Sequence, residues 1–139
     1  MMIIYKAPVS SLSDIELEKL CALIGDSFDR DIGIPHVRSF DYGVVVQSGG
    51  VHVSVMLVKV EEGVEHNVQN LCVNPSFRNQ GLATSMLEKL VFGLDPGEYA
   101  SLHVDAGQTH DSLVSFYEKR GFGVVNSNER ETFMCCHVL

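Results

Sequence analysis

Residues 71–87 read L-C-V-N-P-S-F-R-N-Q-G-L-A-T-S-M-L. An apolar strand end runs into Pro75, which withdraws a ladder donor and stops the strand. Gly81 then opens a helix whose apolar positions Leu82, Met86, Leu87, Leu90, Val91 and Leu94 form one stripe, and Asp95-Pro96-Gly97 ends it. At the helix start Arg78, Gly81 and Ala83 spell R-x-x-G-x-A. A helix that begins in a glycine-containing loop points unpaired N–H groups and its positive dipole end at one spot, which suits an anion such as a pyrophosphate. Gly81 and Ala83 carry no bulk to block its approach. No P-loop lysine pattern and no G-x-G-x-x-G competes for that role. Taken alone, so short a pattern also describes a plain helix start with a convenient glycine.

The flanking sequence alternates strands and helices. Residues 2–6 predict a short strand. Ser13 and Glu16 stand at capping-box spacing ahead of Leu17, Leu20, Cys21, Ile24 and Phe28, which recur at helical intervals. From Asp29 to Asp41 the period fails at Gly33 and Pro35, predicting a loop with room for one helical turn. Strands at 43–48 and 51–60 flank Gly49-Gly50 as a hairpin, with Val51, Val53, Val55 and Leu57 alternating with His52, Ser54 and Met56. A polar turn with Glu61, Glu62, Gly63 and Glu65 leads to a strand at 66–73. Beyond the helix that Gly81 opens come a strand at 100–105, a helix at 109–120 with Leu113, Phe116 and Tyr117 on one side, and a strand at 130–138. The order β-α-β-β-β-α-β-α-β-β leaves the range of the penultimate strand open. It predicts an α/β fold: a mixed, partly antiparallel sheet of about seven strands with helices on both faces and ligands at the carboxyl ends of the central strands.

Composition narrows the function. The 139 residues fit a single domain over 1–139, long enough to stand without disulfides or metal. Eighteen acidic against ten basic residues give a net charge of −8, which repels nucleic acid; the acid serves solubility or draws in cations. Cys21, Cys72, Cys135 and Cys136 form no C-x-x-C pair, which points to a reducing compartment rather than a disulfide framework. No signal region or bilayer-spanning run is evident, so the expectation is a cytoplasmic protein with no membrane partner. His36, His52, His110 and His137 show no metal-ligand spacing, and no metal is expected.

Residues 69–90 resemble the acyl-CoA loop of the GNAT superfamily of N-acetyltransferases, Q/R-x-x-G-x-G/A after a strand ending in hydrophobic-x-x-P. The resemblance continues over 102–122, where L-H-V-D-A and S-F-Y-E-K-R-G-F are similar to that family's later strand and its F/L-Y-x-K-x-G-F helix end. It spans about residues 43–125. It implies acetyl-CoA as co-substrate, with backbone N–H groups of Asn79, Gln80, Gly81, Ala83 and Thr84 on the pyrophosphate beside Arg78. Backbone groups of Leu71 and Val73 would lie along the pantetheine arm and polarise the acetyl carbonyl. Many members place a cofactor-contacting Asn seven residues before the helix tyrosine; here that position holds His110, with Gln108 as a substitute after a local insertion.

The resemblance makes Tyr117 the general acid that reprotonates the leaving thiolate, although its helical spacing with Leu113 and Phe116 also suits a core residue. His103, in L-H-V, is similar to a histidine base of protein N-terminal acetyltransferases, and His66 matches the place of a catalytic tyrosine in one of that group. Cys72, beside the expected acetyl site, reads as a nucleophile or as a buried inert thiol. Acceptor pockets of the family are shaped by the first helices and the hairpin, which here carry Asp26, Asp29, Asp31, Glu61, Glu62 and Glu65 and favour a cationic acceptor. The implied activity is acetyl transfer to a primary amine by direct attack, on a polyamine, another small amine or a protein N-terminus. The alternative is a catalytically silent acyl-CoA sensor or interaction module. A homodimer is compatible with either.

Overall fold

The computed structural model describes residues 2–137. Seven strands form one sheet: β1 (Met2–Pro8), β2 (Tyr42–Ser48), β3 (Val51–Glu61), β4 (Glu65–Val73), β5 (Tyr99–Asp105), β6 (Gly123–Ser127) and β7 (Glu131–His137). Their order is β1-β2-β3-β4-β5-β7-β6. All pairs are antiparallel except β4 and β5, which a helical crossover joins in parallel. This is the mixed sheet that the element order predicts, with helices on both faces.

Alternating side chains divide the core between the two faces. Val44, Val46, Met56 and Val58 pack with Met86, Leu87 and Leu90 of α3 (Leu82–Phe92), and this layer continues to Leu102, Val104 and Met134, on which α4 (His110–Glu118) lies. Val45, Val55 and Leu57 point the other way, onto Leu17, Leu20 and Ile24 of α1 (Asp14–Phe28) and Val37 of α2 (Ile34–Arg38). Both faces of β3 are therefore covered, which is why Ser54 and Met56 are as buried as Val53 and Val55. The Ser13–Glu16 capping box forms as its spacing predicts. Asp29–Asp41 holds the one short helix, α2, because Pro35 sits in the first turn, where a missing N–H costs nothing.

Two departures from regularity position the site. Residues Asn70 and Leu71 of β4 together oppose Met56, a bulge with Asn70 at φ 52°, a conformation Asn tolerates better than most residues. The His36 Nε2 to Asn70 Oδ1 contact of 2.8 Å ties that bulge to α2. In addition, β4 and β5 pair only from Glu65 to Asn67 with Tyr99 to Ser101. Beyond those three residues the strands separate and leave the β5-facing edge of β4 without a strand partner.

None of the four cysteines is disulfide-bonded. No helix among the described residues is long and apolar enough to cross a membrane.

Candidate active site

The separation of β4 from β5 opens a cleft through the sheet, entered from two sides. The first side, about 560 Å³, is lined by Leu71, Cys72 and Val73 of β4, by Arg78, Asn79, Gly81, Ala83 and Thr84 at the start of α3, and by Leu113, Phe116 and Tyr117 of α4. Gly81 caps α3 at φ 74°, and no side chain caps the helix, so its first-turn N–H groups have no intrahelical acceptor. A Cβ built at Gly81 would meet no atom within 4 Å. Open space in front of uncapped N–H groups is what a pyrophosphate needs. The Arg78 Nε donates to the Val73 carbonyl at 3.3 Å, linking this loop to the end of β4.

The apolar stripe of α4 behaves differently from those of α1 and α3. No residue of α4 is buried, and Leu113 is 39% exposed. Leu113, Phe116 and Tyr117 form a cleft wall, and Phe116 and Tyr117 also pack against the core beneath α4. The Tyr117 ring is held edge-on between Phe116 at 5.3 Å and Phe122 at 5.9 Å. Burial pushes its hydroxyl above the ordinary phenolic pKa, so it stays protonated through neutral pH. Burial likewise raises the Cys72 thiol, which favours the inert reading over a nucleophile.

The second side, about 680 Å³, is lined by Gln69, Asn70, His103, Asp105, Gly107 and Thr109 among others. Phe28, Leu71, Leu113 and Tyr117 line both sides and mark their junction. His103 Nε2 lies 3.5 Å from Asp105 Oδ1 and 3.9 Å from Glu131 Oε2. The β5–β7 register brings this about by setting Asp105 opposite Glu131, with His103 two residues away on the same face. Their ligand atoms fall within 4.8 Å of one another, the one such group of three found among the described residues that could hold a cation.

Not all residues singled out from the sequence meet here. His66 is 7% exposed at the opposite end of β4, where Tyr42 Oη lies 2.7 Å from its Nδ1 and Glu98 Oε2 lies 3.0 Å from its Nε2. With both ring nitrogens engaged and no place in the cleft lining, it is a core brace between β2, β4 and the loop before β5. His110 contacts Asp111 at 2.8 Å and Thr132 at 2.7 Å, fastening α4 to β7. Neither His110 nor Gln108 lines the cleft. Gln80 does not line it either. Glu61, Glu62 and Glu65 lie at the β3–β4 turn, beside His66 rather than near Tyr117; Asp105 supplies the acid lining the second side, with Glu131 next to His103. Sequence reading missed Phe28, Asn70, Asp105 and Glu131, because only the bulge, the separation of β4 from β5 and the β5–β7 register bring them to one place.

A family model described as an acetyltransferase (GNAT) domain matches residues 35–138. No curated protein sequence matches the chain. Solved structures with the same fold include an acyl-CoA N-acyltransferase from Pseudomonas aeruginosa, 16% identical, covering 98% of this chain and 99% of that one at a TM-score of 0.78. The ribosomal-protein-S18-alanine N-acetyltransferase from Escherichia coli is 16% identical, with 96% and 93% covered and a TM-score of 0.77. The PaiA N-acetyltransferase from Thermoplasma acidophilum, solved in complex with coenzyme A, is 14% identical, with 99% of each chain covered and a TM-score of 0.74. The family match falls on the separated strands, the uncapped helix and the tyrosine wall just described, and the chain belongs to the GNAT acetyltransferase family.

Proposed function

We propose that the chain is an acetyl-CoA-dependent N-acetyltransferase acting on a primary amine by direct attack. The observation that carries this reading is the position of Tyr117, a half-buried phenol at the junction of two cleft sides. One side faces an uncapped helix start and the other holds a histidine with two carboxylates. Acetyl-CoA supplies the activated acetyl thioester. The first-turn N–H groups of α3 bind its pyrophosphate, and backbone groups at Leu71 and Val73 orient its arm. His103 accepts the proton of the arriving ammonium, and Tyr117 donates its hydroxyl proton to the departing thiolate.

Asp105 and Arg30 line the second side and Glu131 lies against His103 just beyond it; the carboxylates around His103 support a cationic acceptor: a small amine or a peptide N-terminus. A peptide α-amine, with a pKa near ~8, costs less to deprotonate at neutral pH than a lysine-like amine near ~10.4, and suits a histidine base better. The test is a spectrophotometric assay for free CoA across an amine panel. The reading expects thiol release that depends on one class of amine. Binding of acetyl-CoA without turnover on any amine supports the silent sensor instead, a reading favoured by one observation, the engagement of His110 away from the cleft.

A further inference from the structure

Arg120 has no part in the chemistry above, and three neutral groups hold its side chain. It follows the end of α4, and its side chain reaches across to α3. Nε donates to Thr84 Oγ1 at 3.0 Å, and Nη1 donates to the Phe116 carbonyl at 3.1 Å. The guanidinium carbon lies 4.0 Å from the centroid of the Phe116 ring. All of these partners are electrically neutral. In a chain with eighteen acidic side chains, Arg120 forms no salt bridge among the described residues.

Arg30, Arg78 and Arg130 likewise form no salt bridge among the described residues, and a carboxylate partner would compete with any incoming anion. A hydroxyl, a carbonyl and an aromatic face fix the side chain of Arg120 without neutralising it. The guanidinium carries five N–H donors in a planar fork, of which these contacts use two. Thr84 and Phe116 both line the first side of the cleft, and Thr84 belongs to the first turn of α3, next to the uncapped N–H groups. A fixed positive charge and a helix N-terminus thus adjoin one another, and together they favour a ligand bearing several negative charges on a protein of net charge −8.

We infer that Arg120 binds a phosphate group of the nucleotide half of acyl-CoA, with Thr84 as the residue that positions its guanidinium. This rests on the acyl-CoA reading of the cleft. The phosphate belongs either to the pyrophosphate or to the ribose 3′-phosphate, and the ligands of the experiment separate the two.

The experiment is calorimetric titration of the wild-type chain and of Arg120→Met with CoA and with dephospho-CoA, plus an NMR shift titration with phosphate-free pantetheine. Arg120→Met is expected to weaken CoA about 10- to 100-fold, the range for hydrogen bonds to a charged group, and to leave pantetheine unaffected. A loss that persists with dephospho-CoA assigns the contact to the pyrophosphate; a loss that vanishes assigns it to the 3′-phosphate. Arg120→Lys, which keeps a point charge, is expected to recover part of the affinity. Wild-type binding of CoA that Arg120→Met leaves unchanged would overturn this assignment alone. An equal loss for pantetheine would also overturn it, reducing Arg120 to a brace between α3 and α4. A wild-type chain that binds neither CoA nor dephospho-CoA would overturn the acyl-CoA reading, and this assignment with it.

Discussion

Replacing Tyr117 by Phe separates packing from proton transfer. The ring packs edge-on against Phe116 and Phe122, and Phe preserves both contacts. The hydroxyl has no hydrogen-bond partner among the described residues, so its removal leaves no orphaned group and little change in stability is expected. Loss of a positioned general acid typically costs 10²- to 10⁴-fold, so kcat is expected to fall at least about 100-fold with acetyl-CoA affinity nearly unchanged. The pH dependence follows from burial, which holds the folded-state pKa of Tyr117 above 10.0. The basic limb of kcat/KM therefore lies above that of an exposed phenol. The sign for stability is the same: burial of the neutral phenol contributes in full below pH 10.0 and is lost as pH rises through the folded value, so Tyr117→Phe resists alkali better than the parent. Steady-state rates from pH 6 to 10.5, with urea melts at both ends, read both effects. Parent-rate turnover by Tyr117→Phe would refute the reasoning and return the tyrosine to packing alone.

Gly81→Glu places a carboxylate where the pyrophosphate is proposed to bind and strains a φ of 74°; acetyl-CoA affinity measured by calorimetry is expected to fall more than about 100-fold, and less for Gly81→Asn, which tolerates that φ and adds no charge. Tyr42→Phe removes the hydroxyl bonded to buried His66 and is expected to cost about 1–2 kcal/mol in urea unfolding while kcat stays at the parent value, because the brace lies away from the cleft. Asp105→Asn is expected to lower kcat/KM for cationic amines and weaken its salt dependence, whereas neutralising Glu61, Glu62 and Glu65 together leaves both unchanged in steady-state assays.

The parts of the fold that local chemistry decides are legible in the sequence. The capping box, the Gly49-Gly50 hairpin and the glycine start of α3 depend on a few neighbouring residues and stand where their spacing puts them. Less legible are features with no periodic signature. All five residues of β6 are exposed, so its strand has no alternation to read. Gly33 and Pro35 look like breakers, yet they begin α2. The site divides in the same way. Gly81, Arg78 and Tyr117 belong to contiguous motifs and reach the cleft. His66 and His103 are both strand histidines, and which strand end carries chemistry depends on where β4 and β5 part, a long-range property of the sheet. For the same reason the acid at 61–65 lies at the wrong end of β4, and Asp105 and Glu131 meet only through the β5–β7 register.

The most direct test of acetyl transfer at the β4–β5 cleft is mass spectrometry of the amine itself. Incubation with acetyl-CoA carrying a doubly ¹³C-labelled acetyl group is expected to add that acetyl to the acceptor selected by the amine panel, with free CoA in equal amount and with Tyr117→Phe suppressing both. An amine that stays unlabelled while the chain binds acetyl-CoA would contradict the account, leaving a GNAT fold that holds the thioester without passing it on.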